Sequence, residues 1–262
     1  MYPPRLPGNL PQVSVVVATY NPGPELIDAI ESVLYQTHPP SEIVLVDDGS
    51  NQNGKAIIKR AIKRCSDCSI VLLINERNLG LTISLIRGVA RTTFGLVARI
   101  DADDLWMKNH LQLSIDALLR SGCGLVGCSF VNKTPPNRIA DINGFDIITK
   151  PLIKNPFFHS SVLFHKHVYN IIGGYSEVFA YSQDFELWTR FQRSGVGIAR
   201  LASCTVCIGN SANGISNTKR RKQALFAIRA IYSTYGFTFR TLAGIIWRLS
   251  LYYCGSLRRL AL

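Results

Sequence analysis

No acidic residue follows Glu186 in this 262-residue chain. The whole excess of +12 falls beyond it, on Arg190, Arg193, Arg200, Lys219, Arg220, Arg221, Lys222, Arg229, Arg240, Arg248, Arg258 and Arg259. Such an asymmetry asks for an anionic partner, nucleic acid or an anionic membrane surface. No helix-turn-helix, RRM or zinc-finger pattern accompanies the charge, which argues against nucleic acid. No GxxxxGK[ST] and no GxGxxG after the first strand is present, which disfavours a P-loop enzyme or a standard dinucleotide dehydrogenase. Apolar runs stay well short of the ~20 residues that a spanning helix needs. Met1 to Pro11 holds four prolines and no apolar h-region, so it does not read as a secretory signal. No low-complexity tract occurs, and 47% hydrophobic residues argue against disorder outside the ends. Cysteines are few, seven and scattered. Cys65-x-x-Cys68 and Cys204-x-x-Cys207 lie far apart beside strand-like segments, and read as buried, reduced thiols rather than zinc ligands.

What is present is an alternation of strand and helix. Val13–Ala18 is a β-branched run of the kind buried on both faces. Glu25 to Gln36 has apolar residues at helical spacing, and Pro39-Pro40 ends it. A strand at Glu42–Val46, a helix through Lys55–Arg64, a strand Ile70–Ile74, a helix from Leu81 to Arg91 and a strand Leu96–Ile100 follow. This spacing predicts an α/β fold with a parallel, doubly wound sheet. Ligands bind such sheets beyond the carboxyl ends of the strands. Three of those ends carry Tyr20-Asn21, Asp47-Asp48 and Asp101-x-Asp103-Asp104, which should converge on one crevice.

The last of these is the most informative stretch. An apolar run ends in three carboxylates within four residues, and Trp106 follows at once. Carboxylates at the end of a buried strand repel one another and resist desolvation unless a cation or several donors neutralise them. Mg²⁺-type sites commonly share one or two carboxylates with substrate phosphates. A metal–diphosphate site is one reading. A solvated acidic turn opening a helix at Asp104 is the other, since Asp favours helix N-termini.

Val15–Asn21, Glu31–Thr37, Ile43–Ser50, Asn78-Leu79-Gly80-Leu81 and Arg99–Asp104 together resemble, in order and spacing, the family 2 glycosyltransferases with the GT-A fold. The resemblance runs from about Val13 to Arg193, and is greatest to bacterial enzymes that assemble O-antigen, capsule or other surface polysaccharide. It implies a mostly parallel, Rossmann-like sheet flanked by helices, and an inverting transfer of a sugar from a nucleoside-diphosphate donor. Thr19, Tyr20 and Asp48 match donor-binding positions, Tyr20 and Asp48 holding base and ribose. Asn78 and Gly80 match the loop lining the donor pocket. Asp101, Asp103 and Asp104 cover the DxD motif, with Asp101 and Asp103 on the donor and Asp103 or Asp104 on a divalent ion, Mn²⁺ or Mg²⁺. Asp184 matches the catalytic base of the family's "ED" motif, with Gln183 in place of the usual Glu. His159, in the apolar and strand-like segment Asn155–Phe164, matches a family histidine, which makes it a second catalytic candidate, a structural hydrogen-bonder being the alternative. Ile86-Arg87-Gly88 departs from the pattern, and Arg87 reads either as a diphosphate contact or as a solvated helix-surface residue.

The expected organisation is an N-terminal extension (1–12), a catalytic domain (13–215, divided into a nucleotide-sugar-binding half to 106 and an acceptor half from 107), and a basic amphipathic segment (216–262). Basic, aromatic-rich, broken segments of this type lie on membrane surfaces, whereas a helix packed on the domain is the alternative. The resemblance implies a lipid-linked saccharide acceptor, and hence a cytoplasmic protein peripheral on the inner face of the membrane. A basic nucleic-acid-binding protein and a non-catalytic relative are the competing functions.

Overall fold

The computed structural model describes residues 11–65, 68–128, 144–203, 205–209 and 220–236, together with residues 242 and 245. Its centre is an eight-stranded sheet. β1 (Val13–Thr19) lies between β2 (Glu42–Asp47) and β4 (Leu96–Asp101), and β3 (Ser69–Ile74) is the edge beyond β2. These four strands are parallel. Val13, Val15 and Val17 face one core while Val16 and Ala18 face the other, which explains the unbroken apolar run of β1. Helices α1 (Glu25–Leu34) and α2 (Gln52–Ile62) cover the first face through Leu26, Ile30 and Ile58. Helix α3 (Leu81–Arg91) covers the second through Leu85 and Val89.

Beyond β4 the sheet is mixed rather than purely parallel. β8 (Leu163–His165) pairs antiparallel with β4 and with β6 (Leu125–Cys128). β9 (Ile198–Leu201) runs parallel to β6, and β7 (Phe145–Ile147) closes the sheet antiparallel to β9. A small ribbon joins β5 (Leu105–Trp106) to β10 (Val206–Cys207). Among the described residues, three more helices precede the C-terminal segment: α4 (His110–Ser121), α5 (Lys166–Ile171) and α6 (Gln183–Arg193).

Several sequence expectations are corrected here. α1 ends at Leu34, before the prolines, because the Gln36 amide is committed elsewhere: its Nε2 donates to the carbonyls of Ser32 (2.9 Å) and Met107 (2.8 Å), and its Oε1 accepts from the Leu111 N–H (3.0 Å). The 155–164 segment is not one strand, since His159–Ser161 forms a 3-10 turn and only Leu163–His165 joins the sheet. No helix opens at Asp104, which is buried, and the next helix begins six residues later at His110. Cys65 and Cys68 are half-buried free thiols, Cys207 is buried, and Cys204 lies outside the described residues.

The C-terminal segment begins with helix α7 (Arg220–Tyr235), which packs on α6. Ala227, Ala230 and Ile231 are buried in the second core. The Ser182 hydroxyl donates to the Gln223 carbonyl (2.9 Å), and the Lys222 and Arg229 cations lie 5.5 and 5.3 Å from the ring centres of Tyr181 and Phe179. This part of the segment is therefore a packed helix. Lys219 and, apart from residues 242 and 245, everything after 236 lie outside the described residues. Among the described residues no helix is long and apolar enough to cross a membrane.

His110 opens α4 fully buried, its Nδ1 2.7 Å from the Thr205 hydroxyl and its ring 4.4 Å from that of Trp106. Burial pushes its pKa down to about 3. An unfolded histidine takes up a proton near pH 6.5, so the unfolded state binds more protons between these values. The resulting contribution is fully present above about pH 6.5 and is lost as pH falls towards 3. Urea unfolding at pH 7, 5.5 and 4 should therefore show a wild-type advantage over His110→Gln that shrinks steadily with acidification.

Candidate active site

The site lies where the parallel strands end. The Asp48 N–H donates to the Thr19 carbonyl (2.8 Å), joining the ends of β1 and β2. Asn21 holds φ 49°, a left-handed conformation that Asn tolerates. Its N–H donates to the Ser50 hydroxyl (2.9 Å), and its Oδ1 accepts from the Asn51 N–H (2.8 Å). Thr19 is thereby buried in the junction, whereas the Tyr20 side chain projects outward, 51% exposed.

Asp48 is buried and heavily engaged. Its Oδ1 accepts from Asn75 Nδ2 (2.7 Å) and the Leu79 N–H (2.8 Å), and its Oδ2 from the Gly80 N–H (2.9 Å). A carboxylate offers about four lone-pair sites, so one remains, on Oδ2. Gly80 has φ 91°, and Gly49 φ 76° with backbone atoms of Arg77 and Asn78 within 2.8 Å of where a Cβ would stand. Both positions need glycine. Asn78 itself is exposed, its backbone seated against Gly49. Asn75 escaped the sequence reading. It is 1% exposed, and Arg87, expected either on diphosphate or in solvent, donates to its Oδ1 (2.6 Å).

The carboxylates after β4 are organised by a second residue that the sequence reading passed over. Arg99 sits two residues before Asp101, hence on the same face of β4, and its guanidinium is fully buried. It donates from Nη1 to Asp101 Oδ2 (2.8 Å) and from Nη2 to Oδ1. Burial alone would raise the Asp101 pKa, but Arg99, then His159 and the Ser160 hydroxyl, hold it below the usual carboxylate value.

Ser160 links Asp101 to Asp104. Its Oγ accepts from the Asp101 N–H (3.0 Å) and lies within hydrogen-bond range of Asp101 Oδ2 (3.0 Å) and Asp104 Oδ2. One hydroxyl hydrogen cannot serve two carboxylates. The hydroxyl therefore donates to one of the two at a time. Burial, with the charges of Asp101 and Asp103, pushes the Asp104 pKa up to about 6. Asp104 Oδ1 accepts from the Gly209 N–H (2.9 Å), a contact that brings Gly209 against the Asp103 backbone so closely that a Cβ would collide with it. Trp106 Nε1 donates to the Ser160 carbonyl (2.6 Å), so the aromatic after the carboxylates anchors the turn facing them.

Asp103 differs from its neighbours. It is half-buried, and no other described residue donates a hydrogen bond to its side chain. Its pKa is raised, by burial first and then by Asp101. Among the described residues no three His, Cys, Asp or Glu side chains form a metal cage by themselves. One half-buried, destabilised carboxylate beside a second fits the site that Mg²⁺ or Mn²⁺ completes with substrate phosphates. Asp103 is the available ligand, with Asp104 beside it.

Asp184 is the second residue of α6, after Ser182 at φ 54°. Its Oδ2 accepts from Asn155 Nδ2 (2.5 Å), and burial raises its pKa. Half-buried His159 and buried Tyr175 form a polar pair, His159 Nε2 lying 2.7 Å from the Tyr175 hydroxyl. Burial, reinforced by Arg99, keeps the His159 pKa well below 6.5, so the ring is neutral. Burial, with the charges of Asp184 and Asp101 adding to it, keeps the Tyr175 hydroxyl protonated.

A sheet of this order, with carboxylates at the end of β4 and an acid on the helix facing them, has the GT-A fold of glycosyltransferases. In overall shape it is similar to the mannosyltransferase PcManGT from Pyrobaculum calidifontis in complex with GDP-Man and Mn²⁺ (TM-score 0.69, 18% identity, 92% of this chain and 70% of that one). It is also similar to S. aureus TarS 1-349 in complex with UDP-GlcNAc (TM-score 0.67, 15% identity, 91% and 71%). The family model described as glycosyl transferase family 2 matches residues 14–167, and the chain belongs to that family. It is 32% identical over 197 residues to the amylovoran biosynthesis glycosyltransferase AmsE of Erwinia amylovora, covering 72% of each chain. It is 25% identical over 237 residues to the Escherichia coli UDP-Gal:alpha-D-GlcNAc-diphosphoundecaprenol beta-1,3-galactosyltransferase, covering 87% of this chain and 83% of that one. The protein is thus a glycosyltransferase.

Arg99 is buried but the Asp101 side chain is 36% exposed, so removing Arg99 leaves a charge that water partly solvates, at a cost of about 1–3 kcal/mol. Arg99→Met should lower unfolding free energy by about that much, measured by urea unfolding in EDTA. The double variant Arg99→Met/Asp101→Asn should recover part of the loss; a double variant as unstable as the sum of the singles would show that the pair is not coupled.

Proposed function

We propose that this protein transfers a sugar, with inversion, from a nucleoside-diphosphate donor to a hydroxyl of a lipid-linked saccharide in the assembly of a bacterial surface polysaccharide such as O-antigen or capsule. The observation that carries the reading is the carboxylate cluster Asp101–Asp104 at the end of β4, organised by Arg99 and Ser160, with Asp184 at the start of α6 close enough to feel the Arg99 charge. The names of the Erwinia and Escherichia relatives supply the class of product and of acceptor.

In this reading the nucleotide lies along the ends of β1 and β2. Tyr20 offers an exposed aromatic face, and the remaining lone pair of Asp48 Oδ2 accepts an N–H of the base. The loop through Asn78 and Gly80 borders the pocket. Asp101, already neutralised by Arg99, is suited to accept a hydrogen bond from the ribose. Asp103, with Asp104, would hold a divalent ion, Mn²⁺ or Mg²⁺, which supplies Lewis-acid stabilisation of the departing diphosphate.

The acceptor oxygen attacks the anomeric carbon as the bond to the diphosphate oxygen breaks, and Asp184 takes the acceptor's proton. Its raised pKa strengthens it as a base, while the Asn155 amide keeps one oxygen oriented. A single displacement with one base inverts the anomeric centre. His159, neutral and bound to Tyr175, is placed to support this group rather than to replace it. The basic C-terminal segment, with Leu225 and Tyr232 exposed on α7, is the part proposed to meet an anionic membrane on the cytoplasmic side.

Asp184→Asn keeps size and the Asn155 contact but cannot take a proton. It should lower kcat by about 10²-fold or more while leaving the calorimetric Kd for the nucleotide sugar nearly unchanged. Turnover close to wild type would move the base elsewhere. Asp103→Asn should abolish transfer without lowering Tm, and EDTA should inhibit the wild type until Mn²⁺ is restored; full activity in chelator would remove the metal from the reading.

A further inference from the structure

Arg87 follows Ile86, where the family pattern has Asn, and its place in the structure gives it a task. Its Nη1 donates to Asn75 Oδ1 (2.6 Å). The Asn75 amide passes the interaction on, Nδ2 donating to Asp48 Oδ1 (2.7 Å) and to the Ser84 hydroxyl (3.0 Å). The direction of this chain is chemically fixed. A guanidinium only donates and an ionised carboxylate only accepts, so the amide between them can stand only with Oδ1 towards Arg87 and Nδ2 towards Asp48.

We propose that Arg87 is a positioning residue for the nucleotide pocket: through Asn75 it fixes the direction of the Asp48 carboxylate, and so the pocket's preference for bases that carry a ring N–H. The inference rests on the reading that Asp48 accepts from the base. Three of the carboxylate's lone pairs are held by Asn75, Leu79 and Gly80. The direction of the fourth depends on the other three, and the Asn75 contact is the one that a side chain can lose by rotation. Without Arg87, Asn75 Oδ1 loses this donor, and the amide is held only through its Nδ2 bonds to Asp48 and Ser84, about which it can swing. The carboxylate then shifts on the Leu79 and Gly80 amides, and its free lone pair loses its aim.

The chemistry names the discrimination. Uracil presents N3–H and guanine N1–H to an acceptor, whereas cytosine presents the lone pair of N3. A site built to accept from a base rejects the analogue that lacks the donor, because two acceptors are then left face to face.

The test is calorimetric titration of the full chain with UDP, GDP and CDP in the presence of Mn²⁺. The wild type should bind UDP or GDP at least about tenfold more tightly than CDP. Arg87→Met should weaken that nucleotide by about tenfold with little change for CDP, so that the preference collapses while Tm stays near the wild-type value, the Arg87 side chain being exposed. Arg87→Lys keeps one N–H donor for Asn75 and should retain most of the preference. A general loosening of the pocket would weaken CDP equally and would not be rescued by Lys. An intact preference in Arg87→Met overturns the positioning role alone. A wild type that binds none of the three, or binds CDP as well as the others, overturns the reading of Asp48 and this inference with it.

Discussion

Arg99 lies buried beside the carboxylates that end β4, and the rest of the site depends on it. Three acids within four residues at a buried strand end would repel one another strongly in a medium of low dielectric constant. Arg99 removes the charge of Asp101 from that balance by holding both of its oxygens. Ser160 then relays between Asp101 and Asp104, and Gly209 caps the other side of Asp104. Only Asp103 is left without a donor from another described side chain or backbone, open to whatever enters the crevice. A cluster that looks like three equal acids in the sequence is thus one ion-paired group, one anchored group and one available group.

The donor side follows a similar economy. Asp48 staples the loop at Leu79-Gly80 to the end of β2, so the residue proposed to meet the base also builds the wall around it. The backbone makes this possible. Gly80 must carry a positive φ to turn its N–H inward, and Gly49 must lack a Cβ for the Arg77-Asn78 backbone to approach. The acceptor side is held from behind. α7 accepts a hydrogen bond from Ser182, the residue that starts α6, and its Phe226 ring packs against Phe179 and Tyr181 in the loop leading to Asp184.

Much of this was legible. The strands and helices up to Leu96–Asp101 follow the expected alternation because each has a period that matches its burial. The acidic strand ends were recognisable because carboxylates there are costly without a purpose. Other features were hidden for physical reasons. Phe157 and Val162 helped 155–164 look like a strand, but burial of those residues requires only that they face the core, and the His159–Ser161 turn between them achieves it. Gln36 continued a helical pattern that its amide, needed at α4, interrupts. Gly209 carried no signal, since its importance comes from a contact with Asp104 105 residues away.

The sequence by itself determined the alternation of elements, the acids at the strand ends and the asymmetry of charge, because hydrophobic period and residue type act over a few neighbours. It also carried the ordered motifs of family 2. Tertiary structure alone decided which acid is free. Arg99, Ser160, Gly209, Asn75 and Arg87 take their roles from hydrogen bonds whose partners are fixed by the packing of the sheet and its loops. The basic segment after Glu186 makes the same point: its composition suits a surface, yet Ala227, Ala230 and Ile231 are buried against α6, because a helix with small and apolar residues on one side gains more from a core that accepts it than its charges lose by lying along the rim.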